Sequence, residues 1–275
     1  MAKTVFRRMR PLPTPPPVTP QGRCERTKFA LRPAQDRRKG KATVAQSILK
    51  DATIVFDLDG TLIDTAPDLT NALNHVLTRR GHPAVAPNLV RATVGLGARA
   101  MIEEGLRRAN AKDDVDQMLA EFLVHYESNI AAESRPFPGA LDALESLASA
   151  GALLAICTNK REYLTRALLR ALDIESRFQG IAGRDTFTVG KPDPAPLTGV
   201  IAAAGGHSAR AIMVGDSEVD VRTANAAAVP IVFVRFGYGK APLDLPPDTL
   251  IDHFDALGAH AVRLLQTLAE HPADL

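Results

Sequence analysis

The chain lacks the residues and segments that mark several protein classes. It has no tryptophan and only two cysteines, Cys24 and Cys157, among its 275 residues. Two cysteines cannot form a disulfide framework, so we expect both to be reduced thiols of a cytoplasmic protein. No run of 18 apolar residues occurs, and the sequence therefore predicts no membrane-spanning helix. A hydrophobic content of 45% and a charged content of 23% are typical of a globular protein.

Acidic residues are nearly absent from the first 50 residues. This segment has 13 Lys and Arg against two acids, a net charge of +11, and it contains seven prolines. Because the whole chain carries +2, residues 51–275 carry −9, which gives no reason to expect a nucleic-acid partner. Dense proline and charge without periodicity predict a disordered basic tail over residues 1–50. A region translated from an upstream start codon, an organelle-targeting segment and a polyanion-binding arm remain the alternatives.

From residue 51 the chain alternates apolar, β-rich runs with segments of helical periodicity. The apolar runs are at 53–57, 152–157, 180–182, 211–215 and 231–235. The helical segments are at 138–150, 161–172, 195–204, 217–228 and 254–269. Strands that are apolar throughout and are followed by helices indicate an α/β fold with a parallel sheet covered on both faces. Right-handed crossovers place the carboxyl ends of such strands along one edge, where ligands bind.

One stretch interrupts this alternation. Residues 67–135 contain no convincing strand, and their periodicity predicts four helices, near 67–80, 87–93, 97–109 and 113–131. They directly follow the first strand, so we expect a helical cap over the strand edge, inserted into a core of residues 51–66 and 136–275. A cap in this position can close on a substrate and exclude water.

The most informative motif follows the first predicted strand. Residues 54–61 read Ile-Val-Phe-Asp-Leu-Asp-Gly-Thr. Because strand side chains alternate between faces, Asp57 and Asp59 leave the strand end on the same side. Two neighbouring carboxylates repel each other unless a cation or a proton lies between them. The pair is typical of Mg²⁺-assisted chemistry in which one carboxylate attacks and the other moves a proton, although an isolated Asp-Gly is also a common turn.

Further polar residues follow later strands or lie in the loops beyond them. They are Thr158, Asn159, Lys191, Asp216 and Asp220. Together with the two aspartates they offer a nucleophile, an acid/base, a hydroxyl donor, a fixed cation and carboxylates for a metal ion. These are the parts that phosphoryl transfer requires. Taken singly, each of them also has a structural interpretation as a helix cap, a turn residue or a solvated charge.

In this order the motifs resemble those of the haloacid dehalogenase (HAD-like) superfamily of phosphatases, over residues 53 to about 239. The resemblance implies a Rossmann-like core with an inserted α-helical cap, and a phospho-aspartyl intermediate. It implies that Asp57 attacks phosphorus and that Asp59 protonates the leaving alkoxide and then activates water. Thr158 and Lys191 would hold the phosphoryl oxygens.

The same resemblance implies Mg²⁺ as the cofactor. Its ligands would be Asp57, Asp216 and the backbone carbonyl of Asp59, with Asp220 in support. Dehalogenation is disfavoured because that reaction has no leaving alkoxide for Asp59 to protonate.

Within the superfamily the chain looks most like the phosphoglycolate phosphatase family. The segments that carry this likeness are 64–69, 94–97, 158–160, 190–194 and 236–239. They imply a small phosphorylated acid as substrate, 2-phosphoglycolate first, and we expect a monomer or homodimer. The residues predicted to bind substrate are Thr158, Asn159, Lys191, Gly95, Gly97 and Arg99. A phosphatase for a sugar phosphate or nucleotide, a phosphomutase, and a binding or regulatory protein that uses the basic tail remain the alternatives.

Three features depart from the family pattern, and the first is the long N-terminal tail. Arg184 stands where the family often has a glycine, in the loop leading toward Lys191, and this bears on the substrate more than on the reaction class. Residues 227–230, Ala-Ala-Val-Pro, lack the glycine expected before the proline, which predicts strain at a helix C-terminus.

Overall fold

A six-stranded parallel sheet forms the centre of the protein in the computed structural model, which describes residues 45–270. Its strands are β1 (Thr53–Phe56), β4 (Leu153–Cys157), β5 (Gly180–Ala182), β6 (Ala211–Gly215), β7 (Ile231–Val234) and β8 (Thr249–Ile251). The order across the sheet is β5-β4-β1-β6-β7-β8. Strand β1 is therefore central, and Phe56 pairs with Ile156 on one side and Val214 on the other.

Helices cover both faces of this sheet. One face carries α5 (Ala140–Ser149), α6 (Glu162–Ala171) and α9 (Leu257–Glu270), and the other carries α7 (Ala195–Ala203) and α8 (Glu218–Ala226). Strand β1 contributes Ile54 and Phe56 to the first hydrophobic core and Val55 to the second. All three side chains are fully buried, which is what a parallel sheet between two helical layers requires. The predicted α/β fold class is confirmed.

Four helices occupy residues 66–128. They are α1 (Ala66–Arg79), α2 (Pro87–Thr93), α3 (Ala98–Arg108) and α4 (Val115–Ser128). A proline and Asp68 in the first turn of α1 suit a helix N-terminus. The apolar faces of these helices join the first hydrophobic core. Two short strands, β2 (Ile63–Asp64) and β3 (Arg135–Pro136), pair antiparallel, so the chain enters and leaves this helical layer at adjacent points.

The described chain begins before the predicted start of the core. Residues 45–49 are helical and Leu49 is buried. The guanidinium of Arg210 donates to the carbonyls of Ile48 and Lys50, at 2.9 and 3.0 Å. The predicted tail therefore extends too far, because residues 45–49 already belong to the folded core. The rest of the predicted tail, residues 1–44, lies outside the described residues. Within residues 45–270, no helix combines the length and apolar character needed to cross a bilayer.

Candidate active site

The carboxyl ends of the central strands bring the predicted catalytic residues together. Asp57 follows β1, Thr158 follows β4, Asp216 follows β6, and Lys191 comes from the segment between β5 and α7. Gly60 allows the turn after β1 to lie against Asp216. Its φ is +87°, and a Cβ there would lie 2.7 Å from Asp216 Oδ2. Both the backbone conformation and the space therefore require glycine.

Lys191 is a buried cation between two carboxylates. Its Nζ lies 2.9 Å from Asp57 Oδ1 and 2.6 Å from Asp220 Oδ1. Burial lowers the pKa of Lys191, but the negative charges of Asp220 and Asp57 outweigh it, and the pKa is raised above its ordinary value. Lys191 therefore stays charged at neutral pH. It places a fixed point charge beside Asp57, of the kind that binds a phosphoryl oxygen.

The carboxylates of Asp57, Asp216 and Asp220 form a cluster in which one oxygen of each lies within 4.8 Å of the others. Burial, with the charges of Asp220 and Asp216 added, raises the pKa of Asp57 to about 7 despite the opposing effect of Lys191. Burial and the charge of Asp220 raise the pKa of Asp216 to about 6. Carboxylates crowded in this way favour a cation between them. A set made only of oxygen donors suits a hard ion such as Mg²⁺.

Asp216 is oriented by three donors. Its Oδ1 accepts a hydrogen bond from the Thr61 hydroxyl at 2.8 Å, and its Oδ2 accepts from the backbone N–H groups of Tyr238 at 2.7 Å and Gly239 at 3.1 Å. The Tyr238 hydroxyl donates to Asp64 Oδ1 at 2.5 Å. The loop that fixes this carboxylate is thus tied to β2, where the helical layer joins the sheet.

Asp220 holds two other groups in place. It is fully buried, and its Oδ1 accepts from Lys191. Its Oδ2 accepts from the backbone N–H of Ser217 at 3.1 Å and from the Ser217 hydroxyl at 2.6 Å, which forms a capping box at the start of α8. Asp220 therefore positions Lys191 and begins a helix. Its supporting role toward a metal ion stays a prediction.

Asp59 is held by a lysine to which the sequence analysis gave no role. The Thr65 hydroxyl donates to Asp59 Oδ1 at 2.6 Å, and Lys160 Nζ lies 2.8 and 3.0 Å from the two carboxylate oxygens. The Lys160 side chain is only 5% exposed, and its Nζ also lies 4.7 Å from the ring centroid of Tyr126 on α4. Lys160 thus contacts both the carboxylate predicted to transfer protons and the helical layer. The position of Lys160 two residues after Thr158 was the signal that could have found it.

Thr158 and Asn159 lie beside this pair. Thr158 is buried, and its hydroxyl oxygen accepts from the Lys160 N–H at 3.3 Å, so its proton is available to a ligand. Asn159 Nδ2 donates to the carbonyls of Lys191 at 3.1 Å and Gly95 at 3.4 Å. Its Oδ1 is buried with no hydrogen-bond partner among the described residues. Asn159 therefore links the Lys191 loop to the helical layer.

The loop 94–97 lies over the aspartates and borders two clefts, each of about 480 Å³. The first, called the catalytic cleft, is lined by residues including Asp57, Asp59, Gly95, Asp216 and Tyr238. The second, called the cationic cleft, is lined by residues including Asp59, Gly97, Arg99, Phe122, Lys160, Arg161 and Arg184. The structure thus places the predicted substrate residues of this loop at the site.

Two of the predicted substrate residues, Gly97 in this loop and Arg99 in the first turn of α3, differ from a simple substrate contact. Gly97 has a φ of +92°, a conformation that favours glycine, and a Cβ there would have open space around it. Arg99 lines the cationic cleft, but its guanidinium pairs with the exposed carboxylate of Asp116. Arg99 therefore lies at the cleft, but its charge is already paired with Asp116.

The chain matches the family model described as haloacid dehalogenase-like hydrolase over residues 54–234. The phosphoglycolate phosphatase of Mesorhizobium japonicum is 48% identical over 222 residues, which cover 79% of this chain and 98% of that protein. The phosphoglycolate phosphatase of Agrobacterium fabrum is 44% identical and is aligned over 74% of this chain and 89% of its own length. The crystal structure of a predicted phosphoglycolate phosphatase from Haemophilus somnus 129Pt has a TM-score of 0.69 at 28% identity and covers 76% of this chain and 96% of that one. The resemblance stated from the motifs is confirmed: this chain is a phosphatase that belongs to the haloacid dehalogenase-like hydrolase family.

Proposed function

We propose that the protein hydrolyses a small phosphorylated acid, 2-phosphoglycolate first, to glycolate and inorganic phosphate, with Mg²⁺ as its cofactor. The observation that carries this proposal is the buried Lys191 ammonium, 2.9 Å from Asp57 and beside a cluster of three carboxylates. The names of the relatives at 48% and 44% identity support the substrate. Location in the cytoplasm, as a monomer or homodimer, is part of the proposal.

Asp57, Asp216 and the backbone carbonyl of Asp59 would hold the Mg²⁺ ion, with Asp220 in support. All are oxygen donors, which Mg²⁺ prefers. Burial and the neighbouring carboxylates raise the pKa of Asp57 and of Asp216, and a bound cation would offset this repulsion. When bound, the ion supplies positive charge toward the phosphoryl oxygens and helps to orient the group.

In the proposed reaction a carboxylate oxygen of Asp57 attacks phosphorus. The bond between phosphorus and the leaving oxygen breaks, and Asp57 carries the phosphoryl group as an acyl phosphate. Asp59 donates a proton to the leaving alkoxide. It then takes a proton from the water that attacks the acyl phosphate, and this step releases phosphate and restores Asp57. Lys191 and the Thr158 hydroxyl bind the phosphoryl oxygens, whose charge is spread in the transition state.

The helical layer of residues 66–128 is proposed to act as a cap that limits water at the reacting atoms. The Asp57 side chain is 11% exposed and the Lys191 side chain is 3% exposed. Electrostatic interactions are stronger where water is scarce, so this burial increases the effect of Lys191 on the phosphoryl group. The hydrogen bond from Asn159 to the Gly95 carbonyl joins this layer to the core at the site.

A phosphatase for a larger phosphomonoester, such as a sugar phosphate, is the second candidate. The observation that favours it is the cationic cleft, since a cavity of about 480 Å³ beside Asp59 exceeds the volume of a two-carbon acid.

Phosphate release from a panel of small phosphomonoesters, with Mg²⁺ and with EDTA, tests the proposal. A Mg²⁺-dependent rate on 2-phosphoglycolate far above the others is the expected result. A broad profile that still needs Mg²⁺ would reject the substrate and keep the mechanism, whereas equal rates in EDTA would reject the cofactor. Product analysis with a sugar 1-phosphate distinguishes hydrolysis from mutase activity.

A further inference from the structure

The cationic cleft is lined by four cationic side chains, and none of them is a residue that the proposed reaction uses to bind the phosphoryl oxygens. Of the four cations that line it, Lys160 pairs with Asp59 and Arg99 pairs with Asp116. The other two, Arg161 and Arg184, have no ion pair or side-chain hydrogen bond within the part of the chain that the structure describes. Both are exposed. The cleft therefore presents two free guanidinium groups near the carboxylate predicted to protonate the leaving group.

Arg184 is fixed by its backbone. Its N–H donates to the Lys160 carbonyl at 2.8 Å. Two residues later, the Thr186 hydroxyl donates to Glu162 Oε2 at 2.6 Å. These contacts tie the loop after β5 to the start of α6, where Arg161 is the N-cap residue. The two arginines are consequently held on neighbouring, mutually bonded segments.

The Arg184 side chain lies directly against Gly190. A Cβ at Gly190 would lie 2.3 Å from Arg184 Cδ, 2.5 Å from Nε and 2.9 Å from Cζ. Gly190 leaves room for the Arg184 side chain in this position, and a Cβ there would force that side chain to shift. Gly190 is followed by Lys191, so the Arg184 side chain lines the cationic cleft and also lies against the residue next to Lys191.

We propose that Arg184, together with Arg161, forms a subsite for a second anionic group of the substrate. The enzyme selects phosphomonoesters that carry a carboxylate at the end remote from phosphorus. This inference rests on the proposed function and names the residues that would confer its substrate choice. A guanidinium binds a carboxylate through two parallel N–H donors, so an unpaired arginine suits this ligand better than a lysine does. Because neither arginine pairs with an acid among the described residues, a substrate carboxylate would not have to displace one.

The test compares 2-phosphoglycolate with 2-hydroxyethyl phosphate, in which a neutral hydroxymethyl group replaces the carboxylate. Arg184→Gln is expected to lower kcat/KM for 2-phosphoglycolate about tenfold, mainly through KM, and to change it less than about twofold for the neutral ester. Arg161→Gln is expected to act in the same direction with a smaller effect. Arg184→Lys keeps the charge but not the planar fork, and it is expected to restore part of the loss.

Arg79→Gln is the matched control. Arg79 is an exposed arginine on α1 with no ion pair among the described residues, and it does not line the cationic cleft. Its replacement is expected to change neither rate. An equal loss in Arg79→Gln and Arg184→Gln would reduce the effect to general surface charge and would overturn the subsite.

Binding to the Asp57→Asn protein separates this inference from the proposed function, because titration with the two esters needs no turnover. We expect tighter binding of 2-phosphoglycolate, and loss of that preference when Arg184→Gln is added. A preference that survives in both arginine variants would overturn the subsite and leave the proposed function standing. If the wild-type protein turned over 2-phosphoglycolate and 2-hydroxyethyl phosphate equally well, the proposed substrate would be rejected. If the Asp57→Asn protein also bound the two esters equally, the subsite would be overturned as well.

Discussion

The two clefts beside the loop 94–97 differ in the charges that matter most to each. Asp57, which lines the catalytic cleft, belongs to a buried and crowded set of charges in which Lys191 lies between Asp57 and Asp220. In the cationic cleft Arg161 and Arg184 are exposed and have no partner among the described residues. Buried, preorganised charges act on the reacting atoms without reorganising, whereas exposed cations act when a ligand replaces their water. On our two proposals, the chemistry belongs to the first cleft and the choice of substrate to the second.

Removing the proposed nucleophile is the strongest way to test the catalytic cleft. Asp57→Asn is expected to lower kcat by at least about 10⁴-fold for every ester, because an amide is a poor nucleophile toward phosphorus. Phosphate release measures this effect. Asp142→Asn, on the exposed side of α5, is the control and should keep the wild-type rate. Turnover of the Asp57→Asn protein within tenfold of wild type would contradict the covalent mechanism.

Stability distinguishes the buried lysine from the exposed arginine. Lys191→Met leaves Asp57 and Asp220 buried without their cation, so the free energy of unfolding should fall by about 3–5 kcal/mol. Arg184→Gln removes a charge of the same sign at an exposed position and should change it by less than about 0.5 kcal/mol. Urea denaturation in EDTA measures both. Similar losses in the two variants would remove the contrast between the clefts.

Metal affinity tests the acidic cluster. Asp216→Ala is expected to raise the Mg²⁺ concentration needed for half-maximal rate by more than about tenfold, because one carboxylate ligand is lost. Glu218→Gln removes an acid from the same cleft that is 54% exposed and pairs with Arg222, and it should shift this value less than twofold. An unchanged Mg²⁺ dependence in Asp216→Ala would contradict its assignment as a ligand.

A last expected effect is a pH dependence of stability. The pKa values of Asp57 and Asp216 are raised from 3.8 to about 7 and about 6. The metal-free folded state therefore keeps protons that the unfolded state has lost, so its stability falls as pH rises from about 4 to about 7. On our proposal Mg²⁺ binds the deprotonated carboxylates, so the stabilisation of the folded state by Mg²⁺ should grow over the same pH window. We expect Mg²⁺ to raise Tm by more at pH 7.5 than at pH 5, and equal increments would refute the linkage.

Much of the fold followed from patterns within short segments. The apolar runs predicted β1, β4, β6 and β7 to within about two residues, because strands buried on both faces have few polar positions. The missing glycine in residues 227–230 also had its predicted consequence, since Ala228 has a φ of +52° after the last residue of α8. Strand β8 was missed: it has three residues, follows two prolines, and pairs with β7 only through the completed sheet.

The catalytic candidates were predictable for the same reason, and their partners were not. Asp57 and Asp216 directly follow recognisable strands, and Asp59 comes two residues after Asp57. The position of Lys160 two residues after Thr158 indicates that it lies near the site, but its contact with Asp59 joins residues 101 positions apart, and neither local segment indicates that pairing. The pairing of Arg99 with Asp116 likewise depends on how α3 and α4 pack. Contacts between distant segments are set by tertiary packing, and the residue pattern of a single segment cannot predict them.

The most direct test of the division between the clefts is the ratio of kcat/KM for 2-phosphoglycolate to that for 2-hydroxyethyl phosphate, measured at saturating Mg²⁺. We expect Asp216→Ala to lower both values by the same factor and to leave the ratio within about twofold of wild type. Arg184→Gln should lower the ratio about tenfold. A ratio that falls in Asp216→Ala, or an Arg184→Gln protein that loses activity equally on both esters, would contradict the separation of chemistry from substrate choice.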